Sequence, residues 1–308
     1  MPVTVLSKFP NPVATPGYIT SPNGGQIFYL DSGGVRDGFQ DDIASQLYTT
    51  LSAALGACRA NRGDTIIVLP QHSESVTTSP TFVAGVSIIG VGNGAERPAF
   101  RWTATTSAWN VTVNNVMMQN LHLQLEGANG VTKAINITGT DCTIQSCDIE
   151  TASGASNKAT IAIEIGSGAH RASILGNVFR GTATHNSTDV VKVVGGTVPD
   201  QTRIEDNEFV CSATAANGMI HYTVAATNLK VMRNMMYNTH TASTACIVFD
   251  AVAADGIACD NYMAVVNNGT AANQGITFGG GCTVRAFQNF TSDENAKSGA
   301  LAPGVVAT

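Results

Sequence analysis

The sequence predicts an all-β protein built as one right-handed parallel β-helix. Three observations predict it. Short apolar strands recur about every 28 residues in two independent registers. Gly, Asn, Thr and Ser turns separate them and leave no room for a helix inside each unit. Charged residues make up only 12% of the 308, about half the usual share, so there is little material for solvated helix faces.

Residues 1–40 read as an extended arm. They hold Pro2, Pro10, Pro12, Pro16 and Pro22, followed by the pairs Gly24-Gly25 and Gly33-Gly34. Such a stretch resists helix and makes a poor central strand. Residues 41–63 read as a capping helix, with its helical span at 41–60. Ile43, Leu47, Leu51, Ala54, Leu55 and Cys58 fall at helical spacing, Asp41 and Asp42 suit the first turn, and Arg59 and Arg62 suit the end before Gly63. This helix is expected to cover the open mouth of the tube.

The β-helix itself is placed at 64–290, opening on the apolar strand at 65–69. One register is marked by Asn177, Asn207, Asn234, Asn261 and Asn289, at intervals of 30, 27, 27 and 28, with Cys147 and Asn120 extending it backwards. The other runs through Ile135, Ile163, Val191, Ile220, Ile247 and Ile276, at intervals of 28, 28, 29, 27 and 29. The second set is expected to form a buried inward ladder, and the asparagines a structural ladder bonding along the stack. Residues 291–308 form a small, polar tail that cannot plug the last coil.

Sixteen basic and 22 acidic residues give a net charge of −6 without basic clusters, which argues against nucleic-acid or anionic-membrane binding. No apolar run reaches the ~18–20 residues of a membrane span, and the N-terminus lacks an apolar signal core, so synthesis in a cytoplasm is expected. The seven cysteines are odd in number and lack zinc-site spacing, and they read as buried free thiols. The histidines show no metal spacing, and no cofactor fingerprint is present. Most Met, Phe and Tyr residues read as core fillers.

Carboxylate chemistry on a β-helix needs two acids ~5–10 Å apart. The candidates are Asp148 with Glu150, Glu205 with Asp206 and Glu208, and Asp189, and all read as solvated turn residues. Asp189 has Ile161 one coil before it and Gly218 one coil after, so no acidic stack forms. The best polar column is Glu164, Lys192 and His221, at intervals of 28 and 29. It is a weak catalytic candidate, with too few carboxylates for calcium, and is expected to be an exposed ion-pair column. No residue is assigned as catalytic, metal-binding or cofactor-binding.

The run Gly63-Asp64-Thr65-Ile66-Ile67-Val68-Leu69-Pro70-Gln71-His72-Ser73-Glu74 resembles the opening of β-helix proteins of tailed phages. Val86-Ser87-Ile88-Ile89-Gly90-Val91-Gly92, Arg97-Pro98-Ala99-Phe100 and the Asn-x-Phe coil endings are similar too. In this tailspike-like, pectin-lyase-like group some members are tail enzymes and others resemble homotrimeric capsid decoration proteins. The chain shows no head-binding segment before the helix, no long C-terminal trimerisation segment and no carboxylate pair. The resemblance therefore implies a non-enzymatic virion protein on the capsid surface, a homotrimeric cement whose partner is the major capsid protein. The alternative it implies is a tailspike-type polysaccharide lyase or hydrolase, or a glycan-binding virion protein.

Overall fold

The computed structural model describes residues 24–33, 45–103, 108–125, 131–152, 158–181, 187–213, 217–240, 245–250, 254–265, 275–293 and 302–303. They form a right-handed parallel β-helix with three sheets of eleven, ten and seven strands. Sheet 1 runs from Leu47–Tyr48 and Ile27–Leu30 through Thr65–Val68 to Thr283–Phe287. Sheet 2 runs from Ser73–Val76 to Phe290–Asp293 and Ala302–Pro303, and sheet 3 from Trp109–Val111 to Ile276–Phe278.

Each sheet points one column of side chains into the tube. Sheet 1 contributes Ile66, Ile88, Met118, Ile144, Ile174, Ile204 and Val231, all buried. Sheet 2 contributes Phe100, Leu123, Ile149, Phe179, Phe209, Met236 and Met263. The rings of Phe179 and Phe209 stack 4.5 Å apart. Sheet 3 contributes the expected ladder, in which Ile135, Ile163, Val191, Ile220, Ile247 and Ile276 are register partners and all buried. Burying one such side chain is worth about 1.5–3 kcal/mol, and the stack repeats that gain at every coil.

The asparagine ladder closes the corner between sheets 1 and 2. The backbone N–H and Nδ2 of Asn177 both donate to Asn207 Oδ1, at 2.9 and 3.1 Å. The pattern repeats from Asn207 to Asn234, Asn234 to Asn261 and Asn261 to Asn289. A residue with positive φ precedes the corner in successive coils: Ser146, Gly176, Asp206, Arg233, Asp260 and Gln288. Asn120 belongs to that turn column, with φ 55°, and Leu121 occupies the ladder position before Cys147. The expected register was therefore one residue off at Asn120. Its side chain instead donates to the carbonyls of Gly90 and Gly92.

Three expected boundaries are corrected. The helix spans Leu51–Ala57, not 41–60. Thr50 caps it, its hydroxyl accepting from the Ala53 N–H at 3.3 Å, and the preceding Leu47–Tyr48 is a strand lying parallel to Ile27–Leu30. A Thr N-cap offers the backbone a helix start, which outweighs the apolar spacing upstream. Leu51, Ala54 and Leu55 are the buried face, and Glu74 accepts the Leu51 N–H at 2.8 Å. Residues 41–44 lie outside the described residues.

Part of the expected arm is strand. Ile27–Leu30 sits inside sheet 1, paired to Thr65–Val68, with Phe28 and Leu30 buried. The glycine pair before it permits close packing, because a Cβ on Gly25 would lie 2.1 Å from the Gly63 carbonyl oxygen. Asp64 locks this junction, accepting from the backbone N–H groups of Gln26 and Arg59 and from Arg62 Nε at 2.8, 2.7 and 2.6 Å. Burial alone would raise its pKa, but those donors hold it below the usual carboxylate value. Arg62 thus serves Asp64 rather than a helix terminus. Residues 1–23 and 34–40 lie outside the described residues.

The tail begins later than expected. Phe290–Asp293 continues sheet 2, and Ala302–Pro303 pairs antiparallel with it, covering the last edge of that sheet. The tail's backbone does there what its small side chains cannot.

All seven cysteines are free thiols. Burial pushes the thiols of Cys147 and Cys246 up to about 12, so neither forms a thiolate near neutral pH.

Candidate functional site

The polar column predicted on sheet 3 exists, in the predicted register. Glu164 pairs with Lys192 and Lys192 with His221 across successive strands. Its surroundings differ from expectation. Glu164 and His221 are buried, not exposed. Glu164 takes its ion pair from Lys133, one coil earlier, and Lys192 pairs with Asp189 at 3.1 Å.

The reason lies in the coil geometry. Five successive coils of sheet 3 bury two consecutive residues: Ala134-Ile135, Ala162-Ile163, Val190-Val191, Met219-Ile220 and Cys246-Ile247. Residues three apart therefore meet on the outer side, which places Lys133 and Asp189 beside the column. Asp189, set aside in the sequence reading for want of an acidic neighbour, is fully buried at its centre. His221 Nδ1 lies 2.6 Å from Asp189 Oδ1, and Nε2 lies 3.1 Å from Asp250 Oδ2. Each ring nitrogen thus faces one carboxylate. Lys133 and Glu164 thus join two coils, and Lys192, Asp189, His221 and Asp250 join the next three.

Chemically this is a closed arrangement. A general base must offer a lone pair to a substrate, and both nitrogens of His221 are engaged within the protein. Among the described residues no group of His, Cys, Asp and Glu is arranged to hold a metal ion. Removing the ring strands the Asp189 carboxylate with Lys192 alone. His221→Ala should therefore lose about 3 kcal/mol in equilibrium denaturation. Glu164→Ala should lose less, because the half-exposed Lys133 can turn to water. A loss below about 1 kcal/mol for His221→Ala would mean that the network adds no stability.

Of the other candidate acids, Asp148, Glu150, Glu205 and Asp206 are ion-paired, while Glu208 stands half-buried between Val178 and Met235 on sheet 2. Asp148 faces Arg180 at 3.3 Å, and Glu150 faces His122 at 3.3 Å. Arg203 and Arg233 hold Glu205, and Arg233 also holds Asp206. The Arg233 guanidinium lowers the Asp206 pKa, while Glu205 stays low through Arg203 and Arg233 despite burial. The Glu150 carboxylate 3.3 Å away raises the His122 pKa, and the imidazole in turn lowers that of Glu150. The His122 contribution is complete below its unfolded pKa of about 6.5 and disappears as pH rises through the higher folded value. The Glu150 contribution is present above about 4.3 and disappears as pH falls through its lower folded value. The unfolding free-energy difference between wild type and Glu150→Gln, from urea titrations at each pH, should thus peak between about pH 4 and 7. It should stay small, below about 1 kcal/mol, for so exposed a pair. A difference that does not vary with pH would contradict this assignment.

Two further surfaces stand out. An open groove of about 620 Å³ runs along the outer side of sheet 1. Thr143, Ser173, Arg203 and Lys230 form one wall, and Asp141, Arg171, Gln201 and Asn228 form the other. Arg171 is clamped by both oxygens of Asp141, and Lys230 is exposed. The second surface is an apolar strip on the outer side of sheet 2, where Met235, Tyr237 and Tyr262 are exposed rather than filling the core. The sequence reading missed it because it did not separate the two residues after each ladder Asn. The first points outward and the second inward, and the outward series reads Val178, Glu208, Met235, Tyr262, Phe290.

Fold and faces together define a parallel β-helix protein with a closed polar column, a polar groove and an apolar strip. No family model matches the chain, and no curated protein matches it. Among solved structures it is similar to a PL6 alginate lyase in complex with a trisaccharide, at 13% identity and a TM-score of 0.45. The match covers 84% of this chain and 60% of that one, so the chain spans less than two thirds of that protein's length.

Proposed function

We propose that the protein is a non-enzymatic virion component, a self-associating β-helical rod that decorates a tailed-phage capsid as a homotrimer. It would cement the head by bridging subunits of the major capsid protein. One observation carries the structural half of this reading: the sheet 3 column, where Lys133 is paired with Glu164 and Asp189 with both Lys192 and His221. Such a column ties coils together and holds no group in reserve for a substrate. The phage setting is supported by the sequence resemblance at 63–74, 86–92 and 97–100. Cement action would follow from linkage, since a rod that binds the assembled shell and not its separated subunits shifts the equilibrium away from rupture. Gold-labelled antibody raised against the recombinant chain should mark the heads of particles of the encoding virus. Label confined to tails, or absent from the particles, would sink the proposal.

A second reading is a glycan-binding or glycan-cleaving tail protein, and the groove on sheet 1 favours it. Arg171, Arg203 and Lys230 line a trough that follows the stack over four coils, a shape suited to an extended acidic chain. Incubation with polyuronates tests it directly. New unsaturated or reducing ends that disappear in Lys230→Ala and Arg203→Ala would establish this reading and displace the first.

A further inference from the structure

We infer that the apolar strip on the outer side of sheet 2 is the surface through which copies of this chain associate, side by side and pointing the same way. The inference rests on the self-associating reading proposed above and names its interface. Met235, Tyr262 and Phe290 are register partners on three successive strands, and Val210 and Tyr237 are partners in the neighbouring outward column. Met235 is 55% exposed, Tyr262 56%, Tyr237 41% and Val210 37%. The rings of Tyr262 and Phe290 stack 5.0 Å apart at 13°. Water-facing apolar side chains of this size normally occur singly, whereas here they sit on a rigid lattice with strands ~4.8 Å apart.

Area and charge select the occupant. Side chains of ~150–250 Å² exposed to this degree present roughly 400 Å² of apolar surface. That is the size at which an apolar patch on a monomer marks an interaction site, and it would supply the centre of an interface of about 800 Å² per partner. The same outer side is charged toward the N-terminal coils, where His122 meets Glu150 and Arg180 meets Asp148. An antiparallel neighbour overlapping the whole sheet would lay the strip over those ions and remove their water without giving them partners, and one overlapping the strip alone would bury less than that interface needs. A neighbour pointing the same way sets strip against strip and ions against ions, as rotation about an axis along the rod does. Aliphatic Met235 and Val210 beside the rings suit a protein face better than a sugar, which stacks on rings.

Sedimentation velocity on the full chain at micromolar concentration tests the inference. Wild type should travel as an oligomer, Met235→Lys/Tyr262→Lys as a monomer, and Lys230→Glu, on the outer side of sheet 1, as an oligomer. Both lysines would enter at positions more than half exposed, and circular dichroism checks that the fold persists. A second variant avoids the charge: Met235→Cys with a short bis-maleimide should give covalent oligomers linked through like residues, above the wild-type background. A monomeric wild type, a lysine variant that remains oligomeric, or no linkage through position 235 would each overturn the inference. So would a wild type that is monomeric and binds a neutral oligosaccharide through Tyr262. A monomer that still coats virion heads removes this inference and leaves the capsid reading standing. An oligomer built on the strip but absent from particles does the reverse.

Discussion

Ile220→Asp is expected to yield no folded protein. Ile220 is fully buried at the middle of the sheet 3 ladder, between Val191 and Ile247. The substitution forfeits the aliphatic packing, about 2–5 kcal/mol for a truncated core residue. It also puts a carboxylate where no donor waits, which adds several kcal/mol or forces protonation. The sum approaches the whole stability of an ordinary domain, about 5–15 kcal/mol. Its position makes matters worse, because a solenoid is held by contacts between nearest coils and a break at the centre uncouples the two halves. The control is Thr277→Asp, on the same sheet but pointing outward and exposed, and it should express and melt like wild type. Soluble Ile220→Asp protein with the wild-type circular dichroism and melting curve would show that this ladder does not line the tube.

That ladder was legible because alternation along a short strand is a strong signal and each coil repeats it. The asparagine ladder was legible for the same reason, except at Asn120, where the turn residue and the ladder residue stand side by side and the turn happens to be Asn. The short helix was harder. Leu47 fits a helical stripe as well as a strand, and the choice depends on Ile27–Leu30 lying open beside it, a tertiary fact. That strand was hidden in turn by the glycines and prolines around it, although Phe28 and Leu30 alternate with Ile27 and Tyr29.

The polar column was half legible. Glu164, Lys192 and His221 share a register and could be found by counting coils. Asp189, Lys133 and Asp250 could not, because they reach the column diagonally. The signal that would have found Asp189 is the doubled buried pair Val190-Val191, which turns a spacing of three into a shared outer face. Nothing in the sequence shows that the column is buried, since neighbouring segments decide that.

The middle of the asparagine ladder should be nearly as sensitive as the core. Asn234 Oδ1 accepts both the backbone N–H and the Nδ2 of Asn207, and its own Nδ2 donates to Ile204 O at 2.9 Å and Asn261 Oδ1 at 3.0 Å. Asn234→Ala removes all four bonds and leaves their partners in a dry corner. At about 1–3 kcal/mol for each stranded group, the loss should exceed about 4 kcal/mol in urea unfolding. Asn289 closes the ladder among the described residues, accepting from Asn261 and donating to Ala258 O at 2.8 Å. It sits in a terminal coil that can fray, so Asn289→Ala should cost about half as much. Asn234→Asp separates bonding from shape. The new carboxylate keeps the shape and one acceptor, but puts an oxygen against Ile204 O and Asn261 Oδ1. Burial without a compensating cation raises the pKa of that carboxyl above its unfolded value. Its neutral form can donate where Nδ2 did, so the variant should regain stability as pH falls toward 4 while wild type does not. Equal losses for Asn234→Ala and Asn289→Ala, together with a pH-independent Asn234→Asp, would mean that the ladder holds the corner by packing alone and that its hydrogen bonds are incidental.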